Sequence, residues 1–172
     1  MSLANKITIA RAGLIPVILV LLLFGQREAA LASFLLASLG DILDGIAARS
    51  RGEISLLGKV LDPAVDKILY TSLIGTFTAT GEIPLTVGIL FFIPQLGLGI
   101  GALVLHRRAR RVQGARVPGK AAAVLTFIAM VFLLLSLPDR TPVLYAAIGS
   151  TYLASLDYLR AALKGQGRAS YG

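Results

Sequence analysis

Six apolar stretches dominate the chain, at 7–25, 29–48, 62–81, 83–105, 121–138 and 141 to about 160. Each is close to the ~20 residues that cross a bilayer as a helix. In hydrocarbon every backbone N–H and C=O must be satisfied inside the segment or in a closed barrel, so runs this long and this apolar point to helices. The expected fold is an all-α integral membrane protein of six transmembrane helices. Composition agrees: 56% of residues are hydrophobic, 15% are charged, and the mean hydropathy is +0.80, which no ordinary soluble domain shows. The length of 172 residues suggests one domain, taken as 1–163, with 164–172 as a flexible tail. With no cysteine, a disulfide frame, a thiol nucleophile and a Cys-ligated zinc site are all excluded.

The net charge of +8 could serve nucleic acid or anionic lipid. Aromatic residues are few and the Lys and Arg residues sit in short loops between apolar runs, which favours membrane lipid headgroups and argues against nucleic acid. Across six spans, all but Arg27 and Arg140 of the 17 basic residues fall on one side. The positive-inside rule then places both termini at the cytoplasmic face.

Four of the nine acidic residues crowd into one stretch: Asp41, Asp44, Asp62 and Asp66. The first two are spaced i, i+3 and the last two i, i+4, so on helices each pair shares a face. Such a cluster repels itself unless cations neutralise it, and oxygen ligands without His or Cys suit Mg²⁺ or Mn²⁺ rather than zinc. Ala48 lies one turn beyond Asp44, and Gly58 one turn before Asp62, so a bulky group could approach the backbone there. Charges inside spans of this kind usually face a protein-lined cavity and mark function. Pro63 leaves two options for the third helix: a start near Asp62, or an earlier start with the carbonyl of Lys59 deprived of its donor.

The pattern D-x2-D-G-x2-A-R-x8-G-x3-D-x3-D is matched in full by Asp41, Asp44, Gly45, Ala48, Arg49, Gly58, Asp62 and Asp66. In this the chain resembles the CDP-alcohol phosphatidyltransferases. Asn5, Thr8 and Arg11 reproduce the N-x2-T-x2-R opening, and Leu61-Asp62-Pro63 with Asp66-Lys67 the LDPxxDK, of the phosphatidylglycerophosphate synthase and cardiolipin synthase branches. Gly119-Lys120 follows at about the expected distance. Lys6 before an apolar run, with Ala30-Leu31-Ala32 as a cleavage site, imitates a signal peptide. Cleavage would discard Asn5, Thr8 and Arg11, so retention is expected.

The resemblance implies that an acceptor hydroxyl attacks the β-phosphorus of CDP-diacylglycerol and CMP leaves. It implies two divalent ions, Mg²⁺ or Mn²⁺, held by Asp41, Asp44, Asp62 and Asp66, with Asp66 also the general base. Asn5, Thr8, Asp41, Asp44, Gly45, Ala48, Arg49, Gly58 and Asp62 become nucleotide-binding positions, although Asn5 and Thr8 could equally cap the first helix. It also implies a homodimer in the cell's inner membrane, multi-pass, with its site at the cytoplasmic face.

The acceptor is less defined. Phosphatidylglycerophosphate synthases carry an Arg-Glu pair in the fourth span where this chain has Pro94-Gln95. A polyol-phosphate acceptor, glycerol 3-phosphate first and phosphatidylglycerol or inositol phosphate as rivals, would then need cations from the 107–120 loop, and Arg110, Arg116 and Lys120 are the candidates. Another class, a cation or proton transporter, also uses intramembrane acids. It has no use for Ala48, Arg49 and Gly58 at fixed offsets.

Overall fold

The Leu-, Ala- and Ile-rich runs form helices throughout: α1 (Leu3–Leu23), α2 (Arg27–Arg51), α3 (Leu56–Ala79), α4 (Leu85–Gln95), α5 (Val117–Leu134) and α6 (Arg140–Gln166). The computed structural model describes the backbone of 3–51, 56–95 and 117–166, and side chains at 8–40, 64–95, 117–157 and 159–160. No strand occurs among the described residues. At 1.5 Å rise per residue, all but α4 run from roughly 27 to 40 Å, against a hydrocarbon thickness of ~30 Å. Among the described residues, α5 is the one helix long and apolar enough to cross a membrane on composition alone, with a mean hydropathy of 2.0; Thr8–Leu23 and Leu85–Gln95 are shorter apolar runs.

Boundaries depart from the sequence reading where proline and polar residues lie. Helix α3 begins at Leu56, so Pro63 sits inside it and the carbonyl of Lys59 has no proline N–H to accept. Pro16 does the same to Ala12 in α1. Pro118 and Pro142 fall in the first turns of α5 and α6, where their missing N–H costs nothing. Because α5 starts at Val117, Lys120 belongs to a helix and not to the preceding loop. The last helix continues through Lys164 to Gln166, so the expected tail is helical at its start, and 167–172 lie outside the described residues.

Three helices end alike. After α1, Gly25 takes φ 73°, and the N–H groups of Gly25 and Gln26 donate to the carbonyls of Leu22 and Leu21 at 2.9 and 2.8 Å. After α3, Gly81 takes φ 75°, with Gly81 and Glu82 donating to Thr78 and Phe77 at 3.1 and 2.9 Å. These are left-handed caps that satisfy the last carbonyls. Open space surrounds the missing Cβ of both glycines, so φ alone selects them. At the end of α5 the same bonds form around Ser136 at φ 54°, a non-glycine residue in that region.

Two compact units emerge, Met1–Glu82 and Ile83–Gly172. In the first, α1 packs against both α2 and α3. Buried positions trace one stripe per helix: Thr8, Arg11, Ile15 and Ile18 on α1; Ala30, Phe34 and Ala37 on α2; Val65, Leu69, Leu73 and Phe77 on α3. The rings of Phe34 and Tyr70 stand 6.3 Å apart and join α2 to α3. In the second unit α5 packs on α6, through Ala122, Thr126, Ala129, Met130 and Leu133 on one and Leu144, Ala147, Ile148 and Thr151 on the other, all buried. Small residues recur on these stripes, which lets helix backbones approach where lipid offers no hydrophobic drive to associate.

The outward faces are also apolar. Val17, Val20, Leu36, Leu39, Ile89, Ile93, Val124, Ile128, Leu153 and Leu156 are exposed, where a water-soluble helix would carry charge. The hydroxyls on the long helices are satisfied locally: Thr71 donates to the carbonyl of Lys67 at 2.6 Å, Thr78 to Ile74 at 2.7 Å, Thr126 to Ala122 at 2.8 Å and Thr151 to Ala147 at 2.9 Å. Bonding to the i−4 carbonyl removes the need for water.

Candidate active site

The buried stripes of the first unit change character toward one end. Near the α1–α2 turn they are Ile18, Ala30 and Phe77; toward the N-terminal end of α1 they become Thr8 and Arg11, both buried. Helix α2 is continuous from Arg27 to Arg51, so the line Ala30, Phe34, Ala37 advances every three or four residues onto 41, 44 and 48. On α3 the line Phe77, Leu73, Leu69, Val65 runs back onto 62 and 58, with Asp66 at its edge. The motif therefore occupies the register positions of the packed stripes, at the end where α1 begins, α2 ends and α3 begins.

The described side chains at this end are Thr8, Arg11, Asp66 and Lys67. Arg11 donates from Nη2 to Oδ1 of Asp66 at 2.5 Å, with the Arg11 side chain 4% exposed and that of Asp66 35%. A charge-assisted bond this short crosses from α1 to α3 and ties the first motif segment to the last. The side chains of Asn5, Asp41, Asp44, Gly45, Ala48, Arg49, Gly58 and Asp62 lie outside those described, although all eight residues are helical. Arg110 and Arg116 lie outside the described residues altogether, and Lys120 is exposed in the first turn of α5. No group of three or more metal-ligating side chains occurs among the described residues, since three of the four carboxylates are not among them.

One expectation is resolved. Helix α1 starts at Leu3, which puts Asn5 in its first turn and Thr8 in its second, so neither stands at an N-cap position. Asp66 pairs with Arg11, 55 positions away in sequence. Sequence reasoning had assigned Arg11 no partner. One signal was available: a lone cation within an apolar segment needs an opposite charge at the same depth, and the motif acids were the acids at hand.

A family model described as CDP-alcohol phosphatidyltransferase matches residues 1–156. The chain belongs to this family. Membership makes it an enzyme and removes the transporter reading. A "Probable phosphatidylglycerophosphate synthase" of Mycobacterium tuberculosis is 30% identical over 174 residues, taking in 95% of this chain and 82% of that protein. The human "Cardiolipin synthase (CMP-forming)" is 34% identical over 120 residues, 69% of this chain and 39% of its own. A "CDP-diacylglycerol--glycerol-3-phosphate 3-phosphatidyltransferase" of Rickettsia typhi is 39% identical over 71 residues, 40% of each chain. The relatives thus divide between two branches that the motif alone resembled equally.

Proposed function

We propose that the chain transfers a phosphatidyl group from CDP-diacylglycerol to glycerol 3-phosphate, giving phosphatidylglycerophosphate and CMP. The observation that supports the donor half is the Arg11–Asp66 pair, which joins the opening segment on α1 to the last motif acid on α3, with Thr8 buried one turn before Arg11. The relative from Mycobacterium tuberculosis, which this chain matches along nearly its whole length, supports the acceptor. A human relative named a cardiolipin synthase favours phosphatidylglycerol as the second choice.

An all-carboxylate donor set fits hard divalent ions, and Asp41, Asp44, Asp62 and Asp66 would hold two Mg²⁺ or Mn²⁺. Bound there, such ions would neutralise the diphosphate and polarise the phosphoryl oxygens. Asp66 accepts the proton of the acceptor hydroxyl as that oxygen bonds to the β-phosphorus. The bond from this phosphorus to the bridging oxygen breaks, and the electron pair departs with CMP. Asn5, Thr8 and Arg49 bind the nucleotide, and Ala48 with Gly45 and Gly58 leave room for it beside the helices. The acceptor phosphate falls to Arg110, Arg116 and Lys120, which replace the cation absent at Pro94-Gln95.

The enzyme is read as a multi-pass, six-span homodimer of the inner membrane with both termini and the site at the cytoplasmic face. Apolar outward faces and helix lengths near the bilayer thickness support the spans, and the distribution of basic residues supports the orientation. The test is purified protein with CDP-diacylglycerol, Mg²⁺ and a panel of acceptors, followed by CMP release. CMP release with glycerol 3-phosphate is expected; release with phosphatidylglycerol alone would move the protein to the cardiolipin-type reaction.

A further inference from the structure

We infer that Arg11 is a positioning residue for Asp66. Its guanidinium fixes the carboxylate through Oδ1 and thereby sets the direction in which Oδ2 is presented. This rests on the reading of Asp66 given under the proposed function.

Geometry supplies the first part of the argument. Arg11 lies on the buried stripe of α1 between Thr8 and Ile15, and α1 packs directly on α3. Its side chain is almost wholly enclosed, whereas that of Asp66 keeps about a third of its surface open. One partner is thus held by its surroundings and the other faces both the holder and accessible space. A carboxylate on a free Asp rotates about two torsions. A buried guanidinium on one oxygen removes most of that freedom, and fixed geometry is what a proton transfer and an in-line displacement require.

The second part is energetic. A buried ion pair is a poor way to staple two helices, since apolar side chains of the same volume would join α1 to α3 as well or better. The rest of both stripes does use apolar side chains: Ile15 and Ile18 on α1, Leu69, Leu73 and Phe77 on α3. The pair occurs instead at the end where acids congregate. Arginine stays protonated in proteins, so Arg11 also contributes a permanent positive charge beside the Asp66 carboxylate. A lysine at that position would keep the charge and lose the planar fork that sets direction.

A plain counter-ion predicts something different from a positioning residue. If Arg11 merely competed with a divalent ion for Asp66, removing it would make the site more negative and tighten ion binding. If it positions Asp66, removal weakens binding despite the added negative charge. Full-length Arg11→Lys, Arg11→Gln, Asp66→Asn and the Arg11→Gln/Asp66→Asn double variant separate the two. Mn²⁺ alone, titrated into metal-free protein and counted by electron paramagnetic resonance, reads binding without turnover; CMP release from CDP-diacylglycerol reads kcat and donor KM.

Both Arg11 variants are expected to raise half-saturating Mn²⁺ several-fold. They should lower kcat about tenfold for Lys and about a hundredfold for Gln, with donor KM within about threefold. In the Asp66→Asn background, Arg11→Gln should add no further loss of Mn²⁺ binding. Tighter Mn²⁺ binding in Arg11→Gln, additive losses in the double variant, or an Arg11→Lys protein that fails to fold would overturn the proposal, the last by making the pair a requirement of the fold. If Asp66→Asn binds Mn²⁺ and turns over normally, the reading of Asp66 itself falls and this inference with it. If Asp66→Asn is inactive while both Arg11 variants behave as wild type, the inference about Arg11 alone is wrong.

Discussion

Among the described residues an Arg–carboxylate pair occurs at each end of the first unit, and each pair spans 55 positions in sequence. Arg11 meets Asp66 at 2.5 Å where the motif gathers; Arg27 meets Glu82 at 2.7 Å where α2 begins and α3 has just ended. Their burial differs. Arg11 is 4% exposed, while Arg27 and Glu82 are 35% and 24% exposed and flank turns capped by Gly25 and Gly81. The same chemistry therefore does two jobs. In the half-open pair, solvent or headgroups screen the charges, so the interaction contributes little and serves to close the helical ends. In the motif-end pair the guanidinium is enclosed and only the carboxylate, 35% exposed, reaches open space, so the arginine is the partner that solvent cannot replace.

The sharpest way to break this comparison is to neutralise the acid at each end. Asp66→Asn is expected to lower kcat by about 10²–10⁴-fold, the range of a lost general base, while holding donor and metal better than Asp41→Asn or Asp62→Asn do. Glu82→Gln should leave kcat within about twofold. Steady-state CMP release, with donor binding measured separately, decides it, and equal loss of donor binding in all three motif variants would contradict distinct roles.

Removing each arginine comes next. Arg11→Met removes the buried half of the pair and leaves Asp66, a third exposed, without its guanidinium; it should lower stability by about 1–3 kcal/mol. Arg27→Met should cost at most about 1 kcal/mol. Denaturation in mild detergent, read by circular dichroism, tests the ratio; equal costs would erase the distinction between the ends.

A wedge midway between the pairs is a perturbation of at most similar size. Ala37→Leu enlarges a buried position on the α2 stripe one turn before register position 41 and should destabilise by about 1–3 kcal/mol through overpacking. Activity should fall with it, because the wedge pushes α2 away from α1, which also packs on α3 at the motif end. Loss of stability with kcat unchanged would show the motif end to be independent of the core.

The smallest effect belongs to the caps. Gly81→Ala places a Cβ at φ 75° and should cost about 1–2 kcal/mol with kinetics intact, since space is open and conformation alone opposes the change. Ser136→Gly, the reverse change at the end of α5, should stabilise by about 0.5–1 kcal/mol. Thermal melts of both variants check the sign.

Much of this could be read from the chain. Apolar runs of near-bilayer length determined the helices, because a backbone surrounded by apolar side chains has few ways besides a helix to bond itself. The spacing of Asp41, Asp44, Gly58, Asp62 and Asp66 determined that each set shares a face, because the helical period is a local property. What only the tertiary structure decided are matters of contact and competition between distant segments. The start of α3 at Leu56, ahead of Pro63, depends on a full helix being extended through a missing donor. That Arg11 meets Asp66, and that Arg27 meets Glu82, depends on which helix ends are brought side by side. Sequence fixes the period of each helix; packing fixes which stripes face each other, and the ion pairs follow from that.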